Sequence, residues 1–189
     1  MSNGKVFPQL SLRSGEITLR VLKPSDAPRI VTACNEPETQ KWLPLPMPYR
    51  IQNADWFIDE HAVLLQASGQ GIVFGIEHED KFVGCIDIKH ADWINRTCEI
   101  GFWMMPEYRG RGWLTYALDM LSEWVLRQKD FARVELRSAV GNFACQRAAE
   151  KANFIREGIA RDGGRVHSGR VDLVVFARLA KDLVEHESL

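Results

Sequence analysis

Residues 97–125 read TCEIGFWMMPEYRGRGWLTYALDMLSEWV, and the rest of the chain can be organised around this run. Residues 97–105 are rich in strand formers, and Pro106 cannot continue a central strand. The turn Arg109-Gly110-Arg111-Gly112 comes next, and then Leu114, Ala117, Leu118, Leu121 and Val125 recur at helical spacing as one buried stripe. This order of strand, glycine turn and helix brings unhindered backbone N–H groups to the positive end of a helix. Such a turn can cradle a pyrophosphate, with Arg109 and Arg111 beside it as charge-assisted donors. A glycine turn before a helix is also often only a turn, and the local pattern leaves both readings open. The main nucleotide loops fit less well. A G-x-x-x-x-G-K-S/T loop is absent, and a dinucleotide fingerprint needs a third glycine where Thr115 stands.

Upstream, residues 71–78, 82–90 and 97–105 with short intervening turns predict an antiparallel meander. On its third strand Cys98, Ile100, Phe102 and Met104 take one face, and Glu99, Gly101, Trp103 and Met105 take the other. Glu16–Leu22 reads as a strand, followed by a helix from Pro24-Ser25-Asp26 to about Asn35. Pro37, Pro44, Pro46 and Pro48 surround Trp42, Leu43 and Leu45, which predicts a long ordered loop with neither helix nor central strand. That loop is either a wall of a binding site or a lid over the core. A helix capped by Asn53 and ended at Gly69–Gly71 follows. Downstream come a strand over 131–138, a helix over 142–152 with Asn153 left-handed at its end, and strands over 154–162 and 169–178 joined at Gly163 and Gly164. The expectation is one domain over residues 1–189, of class α+β. It is a three-layer α/β arrangement with a mixed, mostly antiparallel central sheet of about seven strands and helices on both faces.

At 189 residues, 46% hydrophobic and 26% charged, the chain can bury one full core. Its net charge of −1 comes from interspersed Lys, Arg, Asp and Glu, which argues against nucleic acid as a partner. Cys34, Cys85, Cys98 and Cys145 lack zinc spacing, so reduced thiols and no metal are expected. No apolar run nears the ~20 residues of a membrane span, and neither membrane association nor a leader is expected. A cytoplasmic location follows from these readings.

The sequence resembles the GNAT N-acetyltransferases, and within them the RimJ/RimL-like branch that acetylates ribosomal-protein amino termini. The resemblance covers nearly the whole chain. Its marks are Leu19-Arg20, Trp42-Leu43-Pro44 through Pro48-Tyr49, Glu99-Ile100-Gly101-Phe102-Trp103 running into the glycine turn, Asn142 with Cys145, Asn153-Phe154, and Gly169 to Asp172. It implies the GNAT-like fold and acetyl-CoA, or another acyl-CoA, as co-substrate. It also implies that the third meander strand splays from the next one, with its backbone near Phe102, Trp103 and Met104 pairing with the pantetheine arm and meeting the oxyanion. Arg109, Gly110, Arg111, Gly112, Trp113, Leu114 and Thr115 would hold the pyrophosphate, and Asn142 would contact the cofactor arm, be a helix N-cap, or do both.

Three positions depart from the family pattern. Leu114 stands where Gly or Ala is usual, Ala149 where many relatives carry a tyrosine that protonates the departing thiolate, and Gly164 where some carry a glutamate base. Cys145 occupies the slot of a serine in the RimL-like branch and is the candidate acid, since a thiol with a pKa of about 8.5 matches a thiolate leaving group. It can equally be a small buried apolar residue. Glu99 is the first candidate base, its alternative being a strand carboxylate in an ion pair. Asp87, Asp162 and His167 come after it, and His61, His78, His90 and His186 are assigned nothing. Trp42, Leu45, Met47, Trp93 and Trp103 form an acceptor pocket or simply pack.

The expected function is transfer of an acetyl group to a primary amine, either a protein amino terminus or a small molecule, by direct attack in a ternary complex. The competing reading is a catalytically idle acyl-CoA-binding module. A homodimer is what the resemblance implies.

Overall fold

The computed structural model describes residues 5–183, so His186 and the end of the polar tail lie outside the described residues. A single eight-stranded sheet runs in the order β1-β2-β3-β4-β5-β6-β8-β7, one strand more than expected. The strands are β1 (Leu12–Ser14), β2 (Ile17–Arg20), β3 (Ile72–His78), β4 (Lys81–Asp92), β5 (Thr97–Met104), β6 (Arg133–Ala139), β7 (Ile155–Val166) and β8 (Gly169–Leu179). Neighbours are antiparallel except β5 and β6, which are parallel. A parallel pair needs a crossover, and α5 (Trp113–Gln128) supplies it. The extra strand is the short β1, which pairs Leu12 with Leu19 on the sheet edge.

Alternation along the strands builds a core on each face. One face carries Ile17, Leu19, Phe74, Ile86, Ile100, Leu136 and Phe176 against Leu118, Leu121 and Val125 of α5 and Ala149 of α6 (Phe143–Lys151). The other carries Val73, Cys85 and Met105 against Ile30 and Ala33 of α1 (Ala27–Cys34) and Ala54 of α3 (Ile51–Trp56). A π-helical turn, Phe57–His61, joins α3 to α4 (Ala62–Ala67). No helix among the described residues is long and apolar enough to cross a membrane.

Three local expectations are corrected. The proline-rich segment does contain a helix, α2 (Pro37–Trp42). Pro37 occupies its first turn, where no backbone donor is needed, and the Glu36 side chain accepts from Thr39 N–H at 2.9 Å. Only Pro44, Pro46 and Pro48 lie in irregular chain. The helix attributed to an Asn53 cap begins earlier, at Ile51 after Arg50, and Asn53 Oδ1 instead accepts from Arg50 N–H at 2.8 Å. The last hairpin turns at His167 and Ser168, while Gly163 and Gly164 lie inside β7 at a register shift between Ala160 and Gly164. Asn153 is left-handed as expected, with φ +63°.

Glu36 also accepts from Arg109 Nη2 at 2.8 Å and thereby ties α2 to the glycine turn. Partial burial alone would raise its pKa, but bonds from Arg109 and from backbone N–H groups hold it below the usual Glu value. A lowered carboxylate stabilises the fold above its unfolded pKa, and that contribution is lost as pH falls through the folded one. Glu36→Ala should therefore cost about 1 kcal/mol at pH 7, a melting shift of about 2–4 °C. Melting curves should converge with wild type as pH drops through the acidic range. A difference unchanged down to the acid limit would mean the carboxylate charge plays no part.

Candidate active site

The site begins where the sheet divides. β5 and β6 pair at only three positions, Thr97↔Arg133, Cys98↔Val134 and Glu99↔Glu135. β4 stays paired with β5 up to Met104, and β8 stays paired with β6 up to Ala139. From Ile100 onward, β5 therefore has a strand partner on one side only among the described residues. Met105 N–H donates to Val83 O at 3.0 Å, and backbone groups alternate sides along an antiparallel ladder. The N–H and C=O groups of Ile100, Phe102 and Met104 thus face the gap. Arg109 Nε reaches Met104 O from that side, at 3.2 Å.

The glycine turn closes one end of this gap. Gly110 and Gly112 have φ +76° and +82°, and a Cβ added at either would meet nothing within 4 Å. Gly112 caps α5 without a side chain, so the amides of Trp113, Leu114 and Thr115 lack helical acceptors. Left-handed glycines, open space and three amides without an acceptor among the described residues, at the start of a 16-residue helix, fit an anionic group. Leu114 packs against the core on the α5 face and so leaves the turn unobstructed. Arg111 lies over the Trp113 ring at 5.3 Å, and Trp113 stacks on His78 at 3.8 Å. Arg109 turns inward to Glu36, Thr39 Oγ1 (2.9 Å) and Met104 O, so the structure gives it a bracing position rather than a free one. Arg29 of α1 braces the same turn, donating to Phe82 O (2.9 Å), Glu107 (3.2 Å) and Tyr108 Oη (3.3 Å).

On the β6 side, Asn142 caps α6 with its Oδ1 accepting from Cys145 N–H at 3.1 Å. The side-chain NH2 of Asn142 has no protein partner among the described residues. Cys145 is half-buried in the first turn of α6, with Ser138 of β6 as the polar group acting on its thiol. Burial raises the thiol pKa and outweighs the opposing effect of Ser138, so the sulfur keeps its proton at neutral pH. Ala149, in the tyrosine position, is fully buried.

The helix α1–α4 face carries the carboxylates. Glu99 is paired with Lys89 at 3.1 Å and lies 3.8 Å from Arg137. It borders a cleft of about 430 Å³ lined also by His90, Thr97, Cys98, Glu135 and Arg137. Asp87 stands opposite Gly101 on the neighbouring strand. Desolvation raises its pKa, Lys89 opposes the rise, Glu99 adds to it, and His61 and His90 oppose it more weakly.

α2 spans the gap. It is held to the β5 side through Arg109, and to the β6 side by Trp42 lying against Gly141 and by Gln40, whose Oε1 is 2.9 Å from His167 Nε2. The candidate aromatic pocket divides accordingly. Trp42 flanks the gap and Trp103 packs on the α1–α4 face, but Trp93 belongs to the opposite core beside Phe7 and Phe131. Asp162 is tied up with Arg170 at 2.7 Å. A Cβ on Gly164 would begin 2.9 Å from the tip of the Leu173 side chain, which would have to move for a side chain to stand there. Arg29, Glu36, Thr39 and Ser138 were not apparent from the sequence. Only Glu36 had a readable signal, as an acceptor side chain directly before a proline at a helix start.

A family model described as Acetyltransferase (GNAT) domain matches residues 16–155. "Putative ribosomal N-acetyltransferase YdaF" of Bacillus subtilis (strain 168) is 29% identical, covering 88% of this chain and 92% of its own. The ribosomal-protein-serine acetyltransferase of Escherichia coli (strain K12) is 26% identical over 62% of this chain and 65% of its own. Among solved structures, RimL, a ribosomal alpha-N-protein acetyltransferase in complex with coenzyme A, superposes with a TM-score of 0.81 at 20% identity, covering 95% of this chain and all of that one, and this likeness establishes the fold. Divided sheet, glycine turn and family match agree, and the chain belongs to the GNAT acetyltransferase family.

Proposed function

We propose that this acetyltransferase, with acetyl-CoA as donor, acts on the α-amine of a protein amino terminus, a ribosomal protein being the first acceptor to test. The observation that carries the reading is the one-sided edge of β5 from Ile100 to Met104, lying beside the glycine turn at the start of α5. Acetyl-CoA supplies an activated thioester. The amides of the turn Arg109–Thr115, with Gly110, Gly112 and Arg111, hold its pyrophosphate, and Phe102 and Met104 offer the gap-facing backbone groups that pair with its arm. Trp103, between them, packs on the acceptor face. Asn142 offers its side-chain amide from the β6 side. A backbone N–H preset at the gap can stabilise the charge developing on the carbonyl oxygen, an effect worth about 3 kcal/mol in comparable sites. Cys145, protonated at neutral pH, donates a proton to the departing sulfur. A ribosomal protein as acceptor is supported by the names of the relatives. With it goes a cytoplasmic location, and the homodimer follows from the family resemblance. One domain carries the whole activity.

Acetyl-CoA at 100 times its dissociation constant should stabilise the fold by about 2.7 kcal/mol, visible as a melting shift. Gly112→Asp puts a carboxylate where the phosphate approaches and should weaken acetyl-CoA binding by more than about tenfold, measured by titration calorimetry. Unchanged affinity would remove the turn from the site. Cys145→Ser should keep substantial turnover of a peptide with a free amino-terminal serine, while Cys145→Ala should lower kcat more than cofactor affinity, by about 10-fold or more. Equal rates in the two variants would reduce the thiol to packing.

A further inference from the structure

We propose that Asp87, rather than Glu99, receives the incoming amine, holding it as an ammonium ion and then taking its proton. The proposal rests on the acetyltransferase reading above and assigns the acceptor side of the same site. Asp87 and Gly101 face each other across β4 and β5. A Cβ on Gly101 would stand 2.6 Å from Asp87 Oδ1 and 3.4 Å from Lys89 Nζ, so the carboxylate, with the lysine beside it, occupies the space that a side chain there would fill. The absent side chain is what lets a β4 carboxylate lie over the backbone of β5. Gly101 sits between Ile100 and Phe102, whose backbone groups face the gap, so the carboxylate is one residue from the edge where the acyl arm pairs.

Glu99 is differently placed. It lies at the closed end of the gap, at the last residue pair of β5 with β6, and two cations already engage its oxygens, Lys89 at 3.1 Å and Arg137 at 3.8 Å. An incoming ammonium group would compete with both of them for Glu99. Its negative charge instead acts on Asp87. The groups acting electrostatically on Asp87 are Lys89, His90 and Cys85 from β4, Glu99 from β5 and His61 from the π turn, and the neighbouring β3 residue, Val73, is apolar. The net upward shift, led by desolvation, makes Asp87 a better proton acceptor than an exposed aspartate. In the reaction the proton passes from the ammonium to the Asp87 carboxylate, and the freed lone pair forms the C–N bond at the thioester carbonyl. The C–S bond breaks, its electron pair stays on sulfur, and the sulfur takes a proton from Cys145. The nitrogen, cationic after the attack, loses its second proton, which restores the Cys145 thiol through solvent, and Asp87 releases the first proton to solvent, so one proton is freed per amide formed.

The test measures thiol release from acetyl-CoA with a fixed panel of acceptors: peptides beginning with Ser, Ala or Met, and spermidine. Asp87→Asn should lower kcat on the order of 100-fold at pH 7, with acetyl-CoA affinity within about twofold, and should abolish the acidic limb of the pH–rate profile. Glu99→Gln should stay within about fivefold and keep that limb. Gly101→Ala, whose new methyl displaces the carboxylate, should remain folded and lose kcat at least about tenfold. If Asp87→Asn does not fold, Gly101→Ala decides by the same criterion. Asp87→Asn or Gly101→Ala at near wild-type rates, or loss of the limb in Glu99→Gln alone, overturns the assignment and leaves the acetyltransferase reading standing. Wild-type protein that releases no thiol with any acceptor overturns that reading and this one together.

Discussion

β5 and β6 separate after Glu99 and Glu135, and the functional features of the molecule follow from that divergence. Each strand continues its own antiparallel ladder on its far side, β5 with β4 and β6 with β8, so the sheet opens as two stable halves and neither strand is left unsupported. Backbone N–H and C=O groups are obligatory hydrogen-bonding groups. A strand edge left without a partner inside a fold is therefore a surface on which an extended ligand can pair. The crossover through α5 is required by the parallel pair, and it delivers a helix N-terminus to the mouth of the same gap.

A gap of this kind must be prevented from closing or widening, and α2 provides the bridge. Arg109 and Glu36 fasten it to the β5 half, while Gln40 with His167 and Trp42 with Gly141 fasten it to the β6 half. Arg29 adds a second brace from α1 to the glycine turn. The glycine turn is thus held in place by Arg109 and Arg29, and it presents backbone amides at the start of α5. Backbone donors of this type do not depend on particular side chains, and the Leu114 side chain packs against the core.

The acceptor face is charged but nearly balanced, with Asp87, Glu99 and Glu135 set against Lys89 and Arg137. Such a surface provides little long-range steering. Selection of the amine then falls to short-range contact and to the one carboxylate that is both desolvated and placed over the open strand. Gly101 is central to this arrangement because its role is spatial: it leaves room for a neighbour's side chain.

The sequence alone determined the order of elements, the meander, the glycine turn, the α5 stripe, the Asn142 cap and the left-handed Asn153. These are local matters, decided by side-chain period, proline and glycine stereochemistry, and short-range capping. It misjudged the helix after Glu36, where density of prolines was read without regard to their position in the helix, and it placed the last turn at Gly163 and Gly164 because glycine signals a bulge as readily as a turn. Tertiary structure alone decided which residues meet. Arg109 faces a brace because Glu36, 73 residues away in sequence, lies beside it, Gly164 lies under the Leu173 side chain of the next strand, and Asp87 gains its position from a glycine on the next strand. Desolvation and ion pairing depend on neighbours brought together by the sheet, and no window along the chain contains them.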